Sequence, residues 1–194
     1  MITAGTATGP QRRSPKSHVE SKEKTLTFTS PFFICMQKEI KILFEEIAGY
    51  AELSETEKQL FEAAKKVRES AYAPYSHFKV GCAVLLENGE IVTGSNQENA
   101  AYPSGLCAER TTIYWTSANY PGVKMKKLFV IGAPDSALTS VPIPPCGSCR
   151  QSILEYEAVQ GDNIEIYFSS LSGEIYKTSS VRDLLPFSFD SSFL

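Results

Sequence analysis

Three cysteines and a glutamate restrict this chain more than any other feature: Cys107-Ala108-Glu109-Arg110 and, some forty residues on, Pro145-Cys146-Gly147-Ser148-Cys149-Arg150-Gln151. Cys146 and Cys149 are one helical turn apart, so both sulfurs can face one point from the first turn of a helix. Cys107 reaches the same point only if the fold sets its own segment beside that helix start. Three thiolates and a nearby carboxylate are the groups needed to bind zinc, activate a water on it and move the water's proton.

Helix N-termini present free amides and partial positive charge, which lower thiol pKa values and help three thiolates coexist. Cys107 is expected to open a helix just as Cys146 does. Three thiolates make a zinc centre net negative and blunt its acidity, so a neighbouring cation is useful. Arg110 is assigned that charge-tuning place. Arg150 also adjoins a ligand, where it either hydrogen-bonds a sulfur or forms a salt bridge on an exposed helix face. Glu109, two residues past a ligand, need not coordinate the metal but can reach its water, and is assigned the proton shuttle. A purely structural site needs a fourth ligand. The candidates are His18, Cys35, His77 and Cys82. Cys82 falls inside an apolar strand and His18 and Cys35 in or beside an irregular segment, which favours an open, catalytic site.

At 194 residues the chain is long enough to bury roughly two-thirds of its unfolded surface in one core without disulfides. Five cysteines, three of them at metal-ligand spacing, point to a reducing compartment and a cytoplasmic protein. A formal net charge of -3 supplies no basic field for a phosphate backbone, so no nucleic-acid polymer is expected as a partner. No apolar run approaches the roughly 20 residues of a membrane span, and no membrane partner is expected.

Residues 1–35 mix Gly5, Gly9, Pro10 and Pro15 with threonines, serines and charges, without helix or strand periodicity, and read as a disordered extension. The stretch from Met36 is more regular, and the natural start is expected there; 36–53 is left without an assigned structure. From Ser54 the pattern sharpens. Ser54 and Glu57 form a capping box ahead of Leu60, Phe61, Ala64, Val67 and Ala71 at helical spacing, which predicts a helix to about Tyr72. Phe78–Leu86 and Glu90–Ser95 flank Asn88-Gly89 as a β-hairpin. Helices are predicted over 107–118 and 147–157, strands over 128–131, 164–168 and 174–178, and a short helix before Pro186. The expected fold is α/β: a three-layer α/β/α sandwich around a mixed five-stranded sheet, within one domain over 54–194.

With these residues in view, the chain resembles the cytidine deaminase family in its small, homotetrameric, zinc-dependent form. The likeness covers about 54–190. Besides the metal motif it includes Ala71-Tyr72-Ala73-Pro74-Tyr75-Ser76-His77-Phe78-Lys79-Val80-Gly81, Gly94-Ser95-Asn96-Gln97-Glu98-Asn99-Ala100-Ala101-Tyr102, and Leu184-Leu185-Pro186 with Phe189. The resemblance implies one zinc per subunit on Cys107, Cys146 and Cys149, with Glu109 relaying protons between water and the cytosine ring as uridine and ammonia form. It implies that the Ala108 amide holds the base carbonyl, Phe78 packs on the base, and Asn96 and Glu98 bind ribose hydroxyls. Phe189, in a tail that also holds Phe187, Phe193 and Leu194, is implied to reach a neighbouring subunit's site. The long N-terminal extension and Cys82, at a position more often alanine, depart from the family pattern.

The implied activity is hydrolytic deamination of cytidine and deoxycytidine in pyrimidine salvage. One alternative is a deaminase of a cytosine nucleoside antibiotic such as blasticidin S, against which the hydroxyl-binding pair Asn96 and Glu98 argues. Another is a non-catalytic, zinc-stabilised binding module, which predicts a closed four-ligand site and a dispensable Glu109.

Overall fold

The computed structural model describes residues 37–135 and 139–194. The expectations for residues 1–35 and for a start at Met36, and the candidates His18 and Cys35, lie outside the described residues. Residues 39–194 form one compact unit. Its elements run β1 (Glu45–Ile47), α1 (Glu55–Arg68), β2 (Phe78–Leu86), β3 (Ile91–Ser95), α2 (Ala108–Asn119), β4 (Met125–Pro134), α3 (Gly147–Gln160), β5 (Glu165–Ser169) and β6 (Ile175–Thr178), with short 3-10 turns between some of them.

The strands form one sheet in the order β1-β6-β5-β4-β2-β3. β4 and β5 are parallel and α3 makes the crossover between them; the other pairs are antiparallel. Side chains of β4 alternate across the sheet as the two-residue strand period requires. Phe129 and Ile131 join Leu60, Phe61 and Ala64 of α1 on one face, while Leu128 and Val130 join Ile113 of α2 and Ile153 and Leu154 of α3 on the other. The three-layer α/β/α architecture follows from that alternation. On the α1 face, Gly81 makes the close approach possible, since a Cβ there would lie 2.0 Å from the Ala64 carbonyl oxygen.

The sheet has six strands where five were expected. The extra strand, Glu45–Ile47, is too short to show an alternating pattern. It forms because β6 offers a partner, with Glu45 bonded to Lys177 (3.1 Å) and the Phe44 ring 5.0 Å from that of Tyr176. Helix α1 stops at Arg68 rather than near Tyr72, because the Tyr72 N–H donates to Asn96 O (3.0 Å) and its carbonyl accepts from Glu98 N (2.9 Å), drawing the chain into an extended bridge. β4 outruns the expected 128–131 because the long β2 offers it a ladder from Phe78 to Leu86. α3 continues to Gln160 and ends at Gly161, whose φ of 64° is the left-handed helix-stop conformation.

The capping box expected at Ser54 is present, with Ser54 N–H donating to Glu57 Oε2 (2.9 Å). Glu57 does more than cap. Its Oε1 also accepts from Tyr167 OH (2.6 Å) and Lys127 Nζ (2.8 Å), tying α1 to β4 and β5. Burial pushes its carboxyl up, but the bonds from Lys127, Tyr167 and Ser54 outweigh that and hold it at about 2, against an ordinary 4.5. A depressed carboxylate contributes stability that is full above its unfolded pKa and is lost as pH falls through the folded one. Glu57→Gln is therefore expected to destabilise the fold by about 2 kcal/mol at pH 7, a partly screened value for a part-exposed network. Denaturant titrations should show the gap between variant and wild type narrowing below pH 4.5 and closing towards pH 2; a pH-independent gap would contradict the account.

Candidate metal centre and the cavity beside it

Cys107 and Cys146 are the N-caps of α2 and α3, and neither uses its side chain to cap. The thiols are left free to turn outward. The first backbone bonds inside the helices are Thr111 N to Cys107 O (3.1 Å) and Arg150 N to Cys146 O (2.9 Å), so the amides ahead of them meet no helical carbonyl. Both helix starts thus aim positive potential at one place. α2 can lie this close to the sheet because Gly94 of β3 has no Cβ; one there would sit 2.6 Å from Thr112 Oγ1.

The three sulfurs converge. Cys107 Sγ is 3.8 Å from Cys146 Sγ, Cys146 Sγ is 3.5 Å from Cys149 Sγ, and all three lie within 4.8 Å of one another. Tetrahedral zinc with bonds of about 2.3 Å separates its sulfurs by about 3.8 Å. The donor set therefore fits zinc in both chemistry and spacing. Among the described residues no fourth histidine, cysteine or acidic group joins the cluster. His77 is outside it, and Cys82 is fully buried in β2 among the apolar residues that face α2 and α3.

Charge around the sulfurs is uneven. A hydrogen bond from Cys149, together with Arg110 and against the effect of burial, holds the Cys107 thiol down to about 5. The same contact, with burial, pushes the Cys149 thiol up. Arg110 lies beside both sulfurs, and its Nε is buried without a hydrogen-bond partner. A guanidinium so placed fits thiolates that keep their negative charge. Arg150 takes neither expected course. Its Nε donates to Pro145 O (2.7 Å) and a terminal nitrogen to Leu184 O (2.8 Å), fastening the approach to Cys146 onto the C-terminal segment.

Glu109, in the first turn of α2, is 4% exposed. Burial pushes its carboxyl up to about 7, its own amide opposes that, and Cys107 adds to it. Acid and base forms are thus both accessible near neutrality.

A cavity of about 480 Å³ opens beside Cys107 and Arg110, walled further by Tyr75, Ser76, Asn96, Gln97, Glu98 and Tyr102. Asn96 and Glu98 meet the metal motif on this cavity. Asn96 is committed in part, its Oδ1 accepting from Val80 N (2.8 Å) and its Nδ2 donating to Phe78 O (3.0 Å), which leaves one acceptor and one donor position. Glu98 Oε2 accepts from the amides of Tyr75 (3.0 Å) and Ser76 (3.2 Å) and Oε1 from the Ser76 hydroxyl, leaving about one lone pair on Oε1. Phe78, half-buried at the start of β2, has its ring edge over Gly132, where a Cβ would be 3.0 Å from it. Ala108 is buried as the first residue of α2.

Phe189 does not reach this chain's cavity walls; it is 57% exposed and stacks on Phe193 at 5.4 Å, with its carbonyl held by Gln151 Nε2 (2.8 Å). Sequence reasoning missed the wall residues Tyr75, Ser76 and Tyr102. All three lie in the blocks that carry the family resemblance, and Pro74-Tyr75-Ser76 adds turn chemistry, since serine hydroxyls in turns commonly bond nearby backbone.

Residues 54–160 match the family model described as the cytidine and deoxycytidylate deaminase zinc-binding region. The chain is 40% identical over 136 residues to a cytidine deaminase of Sporosarcina psychrophila, covering 70% of this chain and 93% of that protein. It is 39% identical over 125 residues to a probable cytidine deaminase of Dictyostelium discoideum, covering 64% and 78% respectively. The crystal structure of cytidine deaminase from Burkholderia pseudomallei superposes with a TM-score of 0.59 at 41% identity, covering 68% of this chain and 97% of that one. The three converging sulfurs and the buried Glu109 fall inside the matched zinc-binding region, and the chain belongs to the cytidine deaminase family.

Proposed function

We propose that the chain hydrolyses cytidine and deoxycytidine to uridine and deoxyuridine with release of ammonia, using residues 54–194 as its catalytic domain. The observation that supports this most is the convergence of three sulfurs at the edge of a cavity that Cys107 lines together with Arg110, Asn96 and Glu98, with Glu109 buried in the first turn of the helix that Cys107 opens. Zinc on Cys107, Cys146 and Cys149 would supply a Lewis acid that makes water nucleophilic near neutral pH.

The remaining work falls to the chain's own groups. Glu109 takes a proton as water adds to carbon 4 of the base and delivers it to ring nitrogen 3. It then takes the remaining proton from the new hydroxyl on carbon 4 and passes it to the amino group, which leaves as ammonia while the carbon 4 carbonyl forms. The Ala108 amide, free of helical bonding, holds the base carbonyl, and Phe78 packs along the base. Arg110 compensates the thiolate charge. Asn96 and Glu98 have room for about one sugar hydroxyl each, which supports both nucleosides as substrates.

The same reading extends to assembly and place. Exposed Trp115, Phe187, Phe189 and Phe193 form apolar surface suited to contact between subunits, and support a homotetramer in which Phe189 completes a neighbour's site. No helix among the described residues is long and apolar enough to cross a membrane. A small nucleoside substrate, the reduced thiols and the net charge of -3 support a cytoplasmic role in pyrimidine salvage without a nucleic-acid polymer or membrane partner.

Loss of cytidine absorbance is the direct assay. Wild-type zinc protein is expected to turn over cytidine, and Glu109→Ala to lose at least about a hundredfold in kcat; equal rates would remove Glu109 from the reaction. KM values for cytidine and deoxycytidine are expected to agree within about fivefold, with the two open positions filled by the 3′- and 5′-hydroxyls that both nucleosides carry; a far larger gap would show that the site bonds the 2′-hydroxyl instead. Arg110→Ala should weaken zinc binding by about 10- to 100-fold in chelator competition. Arg150→Ala should instead lower the melting temperature with little change in zinc affinity.

A further inference from the structure

Ser76 has no part in the reaction described above, yet its hydroxyl lies between two groups on which nucleoside binding depends. It donates to Glu98 Oε1 and accepts from the Phe78 N–H at 3.0 Å. The Oε1 atom it steers is the one with an acceptor position still open, because Oε2 is occupied by the Tyr75 and Ser76 amides. At the other end of the same residue, Phe78 O accepts from Asn96 Nδ2. Both backbone groups of Phe78 are therefore held by side chains on the sugar side of the cavity.

The turn that makes this possible is fixed from several directions. His77, between Ser76 and Phe78, has a φ of 53°, in the left-handed region that a non-glycine residue keeps only when its surroundings impose it. They do: His77 N donates to Ala73 O (3.1 Å), and His77 O accepts from Asp135 N (2.9 Å). The Ser76 hydroxyl first, and then the two turn amides, also hold the Glu98 carboxyl below its ordinary range, so that it stays an anionic acceptor.

We infer that Ser76 is a positioning residue for nucleoside binding, coupling the carboxylate that reads a sugar hydroxyl to the strand start that sets Phe78 against the base. The inference rests on the nucleoside reading given above. Removing the hydroxyl leaves Glu98 anchored through Oε2 alone and frees the Phe78 amide, loosening sugar and base contacts together. The proton relay at Glu109 is untouched, so the loss belongs in KM and not in kcat.

The test uses the full-length zinc-loaded chain as wild type, Ser76→Ala, Ser76→Thr, Glu98→Gln and the Ser76→Ala/Glu98→Gln double variant. Substrates are cytidine and 2′,3′-dideoxycytidine, which lacks both ring hydroxyls. With cytidine, Ser76→Ala is expected to raise KM about tenfold, as for a lost bond to a charged group, with kcat within twofold. Ser76→Thr, which keeps the hydroxyl, should stay near wild type. With dideoxycytidine the Ser76→Ala penalty should shrink to its base-side part, less than about threefold, and with cytidine the loss in the double variant should fall well short of the product of the two single losses. Ser76→Cys, close in size but a weak donor, is expected to match Ser76→Ala and replaces it if the alanine variant does not fold. An unchanged KM, a loss confined to kcat, or additive losses in the double variant would overturn the coupling while leaving the deaminase reading in place. No turnover of either substrate by wild type would overturn the deaminase reading and the role of Ser76 with it.

Discussion

The architecture depends on two helix N-termini meeting at one point. α2 and α3 lie in the same layer on one face of the sheet and begin at Cys107 and Cys146, and their starts bring three sulfurs within 4.8 Å. Each start supplies unpaired amides and the positive end of a helix dipole, the local environment in which thiolates are least costly. The parallel pairing of β4 and β5 sends the chain across through α3, and the glycine at position 94 lets α2 sit down on the sheet beside it. Moving either helix start by a few ångströms would break the donor set, so sheet packing and metal chemistry are one constraint.

Around that point, burial and charge divide the labour. Arg110 sits against the sulfurs with a buried, unpartnered Nε, while Glu109, on the adjacent position of the helix, is shielded from solvent. One side chain favours the thiolates and the next is a carboxyl poised between acid and base forms. The polar wall formed by Asn96, Glu98 and Ser76 has most of its hydrogen-bonding capacity already spent on the turn that begins β2. That leaves few open hydrogen-bonding positions, each held in place by the turn.

Much of the fold was legible because its signals are local. The Ser54/Glu57 capping box, the Asn88-Gly89 hairpin turn and the apolar run that makes a strand of 128–131 each follow from residues within a few positions of one another. Strand β1 was not legible, since a three-residue Glu-Glu-Ile segment becomes a strand only when β6 pairs with it. The end of α1 was misplaced for the same reason: Tyr72 has helical neighbours but non-local partners at Asn96 and Glu98. At the site, the convergence of the three sulfurs could be anticipated from the cysteine pattern, whereas the Arg150 contacts with Pro145 and Leu184 could not. An arginine beside a ligand has two sulfurs and several carbonyls within reach, and tertiary packing selects among them.

The central claim is that the zinc site is an open one, held by three thiolates. X-ray absorption at the zinc edge of the loaded protein tests it most directly. The account predicts three sulfur neighbours at about 2.3 Å and one oxygen or nitrogen neighbour at about 2.0 Å. A shell of four sulfurs, or one in which fewer than three cysteines take part, would contradict it.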